Sequence, residues 1–167
     1  MKGDNLPSEH HVVRLVAFSR LRKDEHSNPI GLNYEAFLRR EIDDGLSVTW
    51  LEYFAGDKPA QTVAAIQAIR ASAIKPGPKS GFAIGKVGAI AAACKERQHK
   101  IRIIHSPEED NKAHAEIRQL PRDDIVLLEQ LASSTWSELV LNSAILPIGE
   151  AKSAPHDRAS DKIPEKN

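Results

Sequence analysis

The sequence predicts a fold of α+β (or α/β) type, a mixed sheet of about four strands covered by three main helices. Two observations predict it. Apolar, β-branched runs recur through the first 105 residues, bounded by Gly, Pro and Asn turn signals. Between the later of these runs lie stretches of helical period, which imply crossover connections.

The first strand is expected over residues 11–18, where His11-Val12-Val13-Arg14-Leu15-Val16 is apolar except for Arg14. An arginine in such a strand must find a partner or a wet cavity, because burying it unpaired costs several kcal/mol. An internal pair with Glu52 is expected, or else a ligand anion. A charged stretch, residues 19–29, closes on an Asn28-Pro29 turn and reads as a loop or frayed helix. A short helix is expected over 33–40, with Leu32 and Phe37 as apolar contacts, followed by an Asp43-Asp44-Gly45 turn.

Residues 46–54 alternate Leu46, Val48 and Trp50 against Ser47, Thr49 and Leu51, the period of a second strand. Asp57 as N-cap and Pro59 in the first turn open a helix carried by Val63, Ile66, Ile69 and Ile74. Pro76-Gly77-Pro78 ends it. Residues 81–84 form a short strand, Gly85-Lys86-Val87-Gly88 opens an Ala-rich helix to about Arg97, and residues 100–105 form another strand. After a polar loop over 106–113, Asp123 caps a last helix whose stripe is Ile125, Leu128, Leu131, Trp136 and Leu139.

A chain of 167 residues fits one domain. The expected division is a flexible N-terminus over 1–7, a compact domain over 8–146 and a disordered polar tail over 147–167. Cys94 is the lone cysteine, so no intramolecular disulfide forms, and its Ala-rich setting reads as a small buried hydrophobe. The chain opens without an apolar signal region and has no apolar run of the ~20 residues a membrane helix needs. A cytoplasmic protein that does not meet the membrane is expected.

Formal net charge is zero but divided. Residues 1–105 hold 16 Lys+Arg against 11 Asp+Glu, and residues 106–167 hold 7 against 12. The +5 bias of the first part permits docking on a phosphate-bearing partner, yet it falls short of a strongly basic nucleic-acid-binding domain.

The densest polar constellation runs from His105 to His114, with three acids and Asn111 between. Two histidines can shuttle protons or join a carboxylate on a metal, but the spacing matches no zinc or calcium signature, and no metal is expected. His105, His114 and Arg14 are the candidate catalytic residues. Ser47, His10 and Asn111 are candidate ligand contacts, as are Gly85, Lys86 and Gly88 at a strand-to-helix junction whose amides can attract an anion. That junction lacks the spacing of a P-loop or dinucleotide fingerprint, and glycines for a tight turn explain it as well.

Arg14 on a first strand, followed by Leu46-Ser47-Val48-Thr49 on a second, resembles the arginine-and-serine arrangement of ADP-ribosyltransferase-like folds over residues 11–53. The resemblance implies a catalytic glutamate on a later strand. None stands out there, since Glu108 and Glu109 lie in a loop.

No motif meets a catalytic spacing, so the first expectation is an accessory or interaction protein with a protein partner. The alternative is an enzyme acting on a nucleotide or nucleic-acid phosphate through Arg14, His105 and His114. A nucleic-acid-binding module is the third reading. No cofactor is identified.

Overall fold

The computed structural model describes residues 2–147; the expected tail from 148 onward lies outside them. Eight strands are β1 (His11–Val16), β2 (Leu21–Lys23), β3 (Pro29–Leu32), β4 (Gly45–Trp50), β5 (Gly81–Lys86), β6 (Arg102–His105), β7 (His114–Arg118) and β8 (Glu138–Leu141). The helices are α1 (Lys58–Ala71), α2 (Val87–Glu96) and α3 (Ile125–Gln130). Six strands form one sheet in the order β6-β7-β4-β1-β5-β8, and β2 and β3 pair as a separate ribbon.

The sheet therefore has six strands where about four are expected. Every neighbouring pair is antiparallel, where a mixed sheet is expected. The reason lies in strand order. β4 and β5 run the same way and are joined by α1, but β1 lies between them, antiparallel to both. The helical crossovers are real, and they link strands that are not neighbours.

Most boundaries follow local chemistry. Asp57 caps α1, its Oδ1 accepting the Ala60 amide at 3.0 Å, and Pro59 sits in the first turn. Residues 34–37 wind into a single 3-10 turn. The last helix is shorter than its apolar stripe implies. Its N-cap is Asp124, one residue beyond Asp123, and its side chain accepts the Leu127 amide. After α3 the chain widens to a π-turn over Leu131–Thr135, and Leu139 lies in β8. The apolar residues there serve a helix and an edge strand in succession, and periodicity does not separate the two.

The expected flexible N-terminus instead lies along β6. Gly3 and Leu6 donate their amides to His105 and Ile103 at 2.7 and 2.8 Å, and Leu6 is buried. Those bonds cover an otherwise open sheet edge.

The core lies on both faces of the sheet. One face buries Val12, Val16, Leu46, Val48, Ala115 and Ile117 against α2 and α3. The other buries Val13, Phe82 and Ile84 beneath Ala65, Ile66 and Ile69 of α1. Each large apolar side chain buried in this way contributes about 1.5–3 kcal/mol. α1 covers the β1 and β5 side of its face, and β4 and β7 add no apolar side chain to that cluster. Their outward residues there are polar. No helix among the described residues is long and apolar enough to cross a membrane.

Candidate functional site

Alternation places the site. Leu46 and Val48 of β4 enter the core, which turns Ser47 and Thr49 to the α1 face. On β7, buried Ala115 and Ile117 turn His114, Glu116 and Arg118 to the same face. The antiparallel register sets Ser47 opposite Glu116 and Thr49 opposite His114.

Ser47 Oγ lies 2.7 Å from His114 Nε2. The other ring nitrogen, Nδ1, is 2.6 Å from the Ser106 carbonyl oxygen. A carbonyl only accepts, so Nδ1 carries the proton of the neutral ring. Nε2 then holds a lone pair towards the Ser47 hydroxyl. The His114 side chain is buried, whereas Ser47 is exposed. Glu108 Oε1 stands 3.6 Å from the same Nε2.

Arg14 reaches this place through a break in the sheet. The β1–β4 ladder pairs Val12 with Trp50 and Val13 with Thr49, and then stops. Continued, it would set Leu15 beside Ser47. Instead Arg14 Nη1 donates to the Ser47 carbonyl and Nε to the Ala36 carbonyl, both at 2.8 Å. The expected pair with Glu52 does not form, because Glu52 binds the backbone and ring of His11. Among the described residues no carboxylate is bonded to Arg14. Burial, and then the nearby Arg20 charge, push its pKa down to about 10, against an opposing pull from Asp43. It stays a cation at neutral pH.

Two adjoining depressions of about 380 and 540 Å³ share Arg14, Ser47, Ile74, Glu108 and His114. Asn111 lines the smaller and is buried, its Nδ2 donating to Thr49 Oγ1 at 3.1 Å and its Oδ1 accepting the Ala113 amide. It fixes the β6–β7 loop to β4. Asp110 ties the same loop to the end of α1 by accepting the Ala73 amide at 2.7 Å. The larger depression adds Arg20, Asp43 and Glu116, and Glu116 is bonded through Oε2 to Arg118.

Of the residues singled out in the sequence, the fold brings Arg14, Ser47, Asn111 and His114 together. His10 and His105 gather elsewhere, around Trp50, whose Nε1 donates to His10 Nδ1 at 3.0 Å while its ring meets His105 edge-on at 5.3 Å. His105 Nε2 donates to the Lys112 carbonyl. At the strand-to-helix junction, the Val87 and Gly88 amides donate to the His10 and Ser8 carbonyls at 2.9 and 2.8 Å. The chain itself thus occupies the donors an anion would need. Gly85 is buried against Trp136, and Lys86 is exposed.

Comparison with family models, curated proteins and solved structures finds no match. The cleft must be read from its chemistry. Glu116 also lines the cleft, opposite Ser47, and is not among the residues singled out in the sequence. Its signal was the alternation of His114-Ala115-Glu116-Ile117-Arg118, short and flanked by polar loop. No group of three or more His, Cys, Asp or Glu able to hold a metal occurs among the described residues.

Proposed function

We propose that this protein is an enzyme acting on a nucleotide, bound in the cleft through a phosphate, with Arg14 holding an anionic oxygen and His114 as general base. One observation carries the reading. Arg14, Ser47 and His114, from three different strands, line one cleft in which the histidine has its free lone pair facing an exposed hydroxyl. A half-buried arginine bonded only to carbonyls retains its full charge for an incoming anion. A histidine held by one nitrogen and free to accept at the other is arranged as a base.

The second histidine of the sequence-based scheme, His105, does not line this cleft. Glu108 is the titratable group beside Nε2 instead. The accessory-protein and nucleic-acid-module readings draw no support from a cleft of this kind, and the formal net charge is zero.

A second reading is favoured by Glu116. The ADP-ribosyltransferase-like arrangement needs a glutamate on a later strand, and β7 carries Glu116 directly opposite Ser47. In that reading the carboxylate stabilises positive charge developing at a ribose carbon as its glycosidic bond breaks.

Isothermal titration with AMP, ADP and NAD tests the first claim. Binding of at least one to the full chain is expected, and Arg14→Gln should weaken it about 10- to 100-fold through loss of a charge-assisted contact. Absence of binding by all three overturns the reading. Product analysis then separates the two chemistries: cleavage at phosphorus that needs His114 supports the first. Cleavage at the ribose carbon that is lost in Glu116→Gln supports the second.

A further inference from the structure

Ser47 and His114 have the geometry of an activated nucleophile and its base, with a backbone carbonyl in the orienting role. A serine–histidine hydrogen bond can also be mere packing, and Thr49 supplies the internal comparison. Thr49 lies on the same face of β4, two residues on, and directly opposite His114 in register. It is buried, and its hydroxyl accepts from Asn111. Ser47 is exposed in the cleft, and its hydroxyl is the group aimed at the histidine lone pair.

Two charges suit the step. Arg14 is bonded to the carbonyl of Ser47 itself, so a bound anion would sit beside the nucleophile's own peptide. Glu108 stands at 3.6 Å from Nε2, the nitrogen that gains a proton when the serine reacts, and its carboxylate would steady the imidazolium.

We infer that Ser47 is the nucleophile of this cleft, and that reaction proceeds through a covalent phosphoserine-type adduct on its Oγ. The choice of a phosphoryl electrophile rests on the proposed nucleotide-phosphate reading; the nucleophile itself rests on the Ser47–His114 geometry. In the first step the Oγ–P bond forms as the bond from phosphorus to the leaving oxygen breaks. The serine proton passes to His114 Nε2 and then to the leaving oxygen. In the second step water attacks phosphorus, His114 takes its proton, and the Oγ–P bond breaks. Ser47 recovers its hydrogen from His114.

The test is labelling of the full chain with diisopropyl fluorophosphate, which forms the same Oγ–P bond with loss of fluoride. Adducts are read by intact mass and peptide mapping. One adduct is expected, on Ser47, absent from Ser47→Ala and from chain unfolded in urea. His114→Asn, which keeps a donor for the Ser106 carbonyl but removes the base, should slow labelling about 10²- to 10⁴-fold. If that variant fails to fold, Glu108→Gln gives the second reading, with labelling slowed several-fold. No adduct on Ser47 overturns the inference. So does labelling at a rate indifferent to His114 in a folded His114→Asn, or to Glu108 where only that variant folds. Nucleotide turnover that persists in Ser47→Ala overturns it while the proposed function stands. Labelling of Ser47 in a chain that binds no nucleotide leaves the nucleophile and removes the nucleotide.

Discussion

Asp124 shows how one carboxylate can tie two segments of chain together through three residues. Its oxygens accept Arg97 Nε and Nη2 at 2.8 Å each, His99 Nε2 at 2.8 Å and the Leu127 amide at 3.1 Å. The Arg97 bonds foremost, then His99 and the helix amide, hold its pKa well below the ordinary 3.8. A carboxylate whose folded pKa is depressed adds stability above its unfolded pKa and loses it as pH falls through the folded value. Asp124→Asn should therefore melt at lower temperature than the parent at pH 7. That gap should close as pH drops below 3.8, which thermal melts across a pH series will check. A gap that does not change with pH would mean that the cap geometry, not the charge, supplies the stability. Close by, Cys94 is buried, and that burial pushes its thiol up to about 11, in keeping with a packing role.

At the scale of elements, β5 is held by what its glycines lack. A Cβ on Gly85 would stand 2.8 Å from Trp136 Cδ2 and 3.2 Å from Ile90 Cδ1. Trp136 is itself stacked on Phe37 at 5.0 Å, which limits how far the indole can retreat. Gly85→Ala is expected to cost about 1–3 kcal/mol, the usual range for an overpacked core, read as a lower midpoint in urea unfolding. An unchanged midpoint would show that Trp136 yields without loss. Gly88 meets backbone instead, since its Cβ would lie 2.8 Å from the Ser8 carbonyl. The junction is thus filled on one side by the core and on the other by the N-terminal segment. Elements also explain the site: β1 and β4 part just where Arg14 enters, so the break in the ladder and the placement of the cation are one feature.

For the whole molecule, sheet order predicts where stability concentrates. β1 lies between β4 and β5, has Val12, Val13 and Val16 buried, and contributes to the core on both faces. β8 is an edge strand with no fully buried residue. Amides of β1 should exchange with solvent on the order of 100-fold more slowly than those of β8, because edge strands open locally. Hydrogen-exchange mass spectrometry will test this, and equal protection would point to a single cooperative unit reaching the edge.

The sequence by itself determined the start of α1 at its Asp57 cap, the first strand with its anomalous arginine, and the β4 alternation that sets Ser47 apart from Leu46 and Val48; α1 ends at Ala71, so Ile74, counted in its stripe, lies exposed beyond it. Those three features are local, carried by spacing within a few residues. It did not determine β7 and β8, whose few residues leave too short a run for a period to stand out, nor the antiparallel sheet, which depends on β1 lying between strands joined by a helix. The site belongs to the second kind. Ser47 and His114 are 67 residues apart, and only the register of β4 against β7 brings them to 2.7 Å. A shift of one residue would turn His114 into the core and Ala115 to the cleft, because strand side chains alternate faces. The chemistry was written in residue types, and pairing across the sheet decided which of them meet.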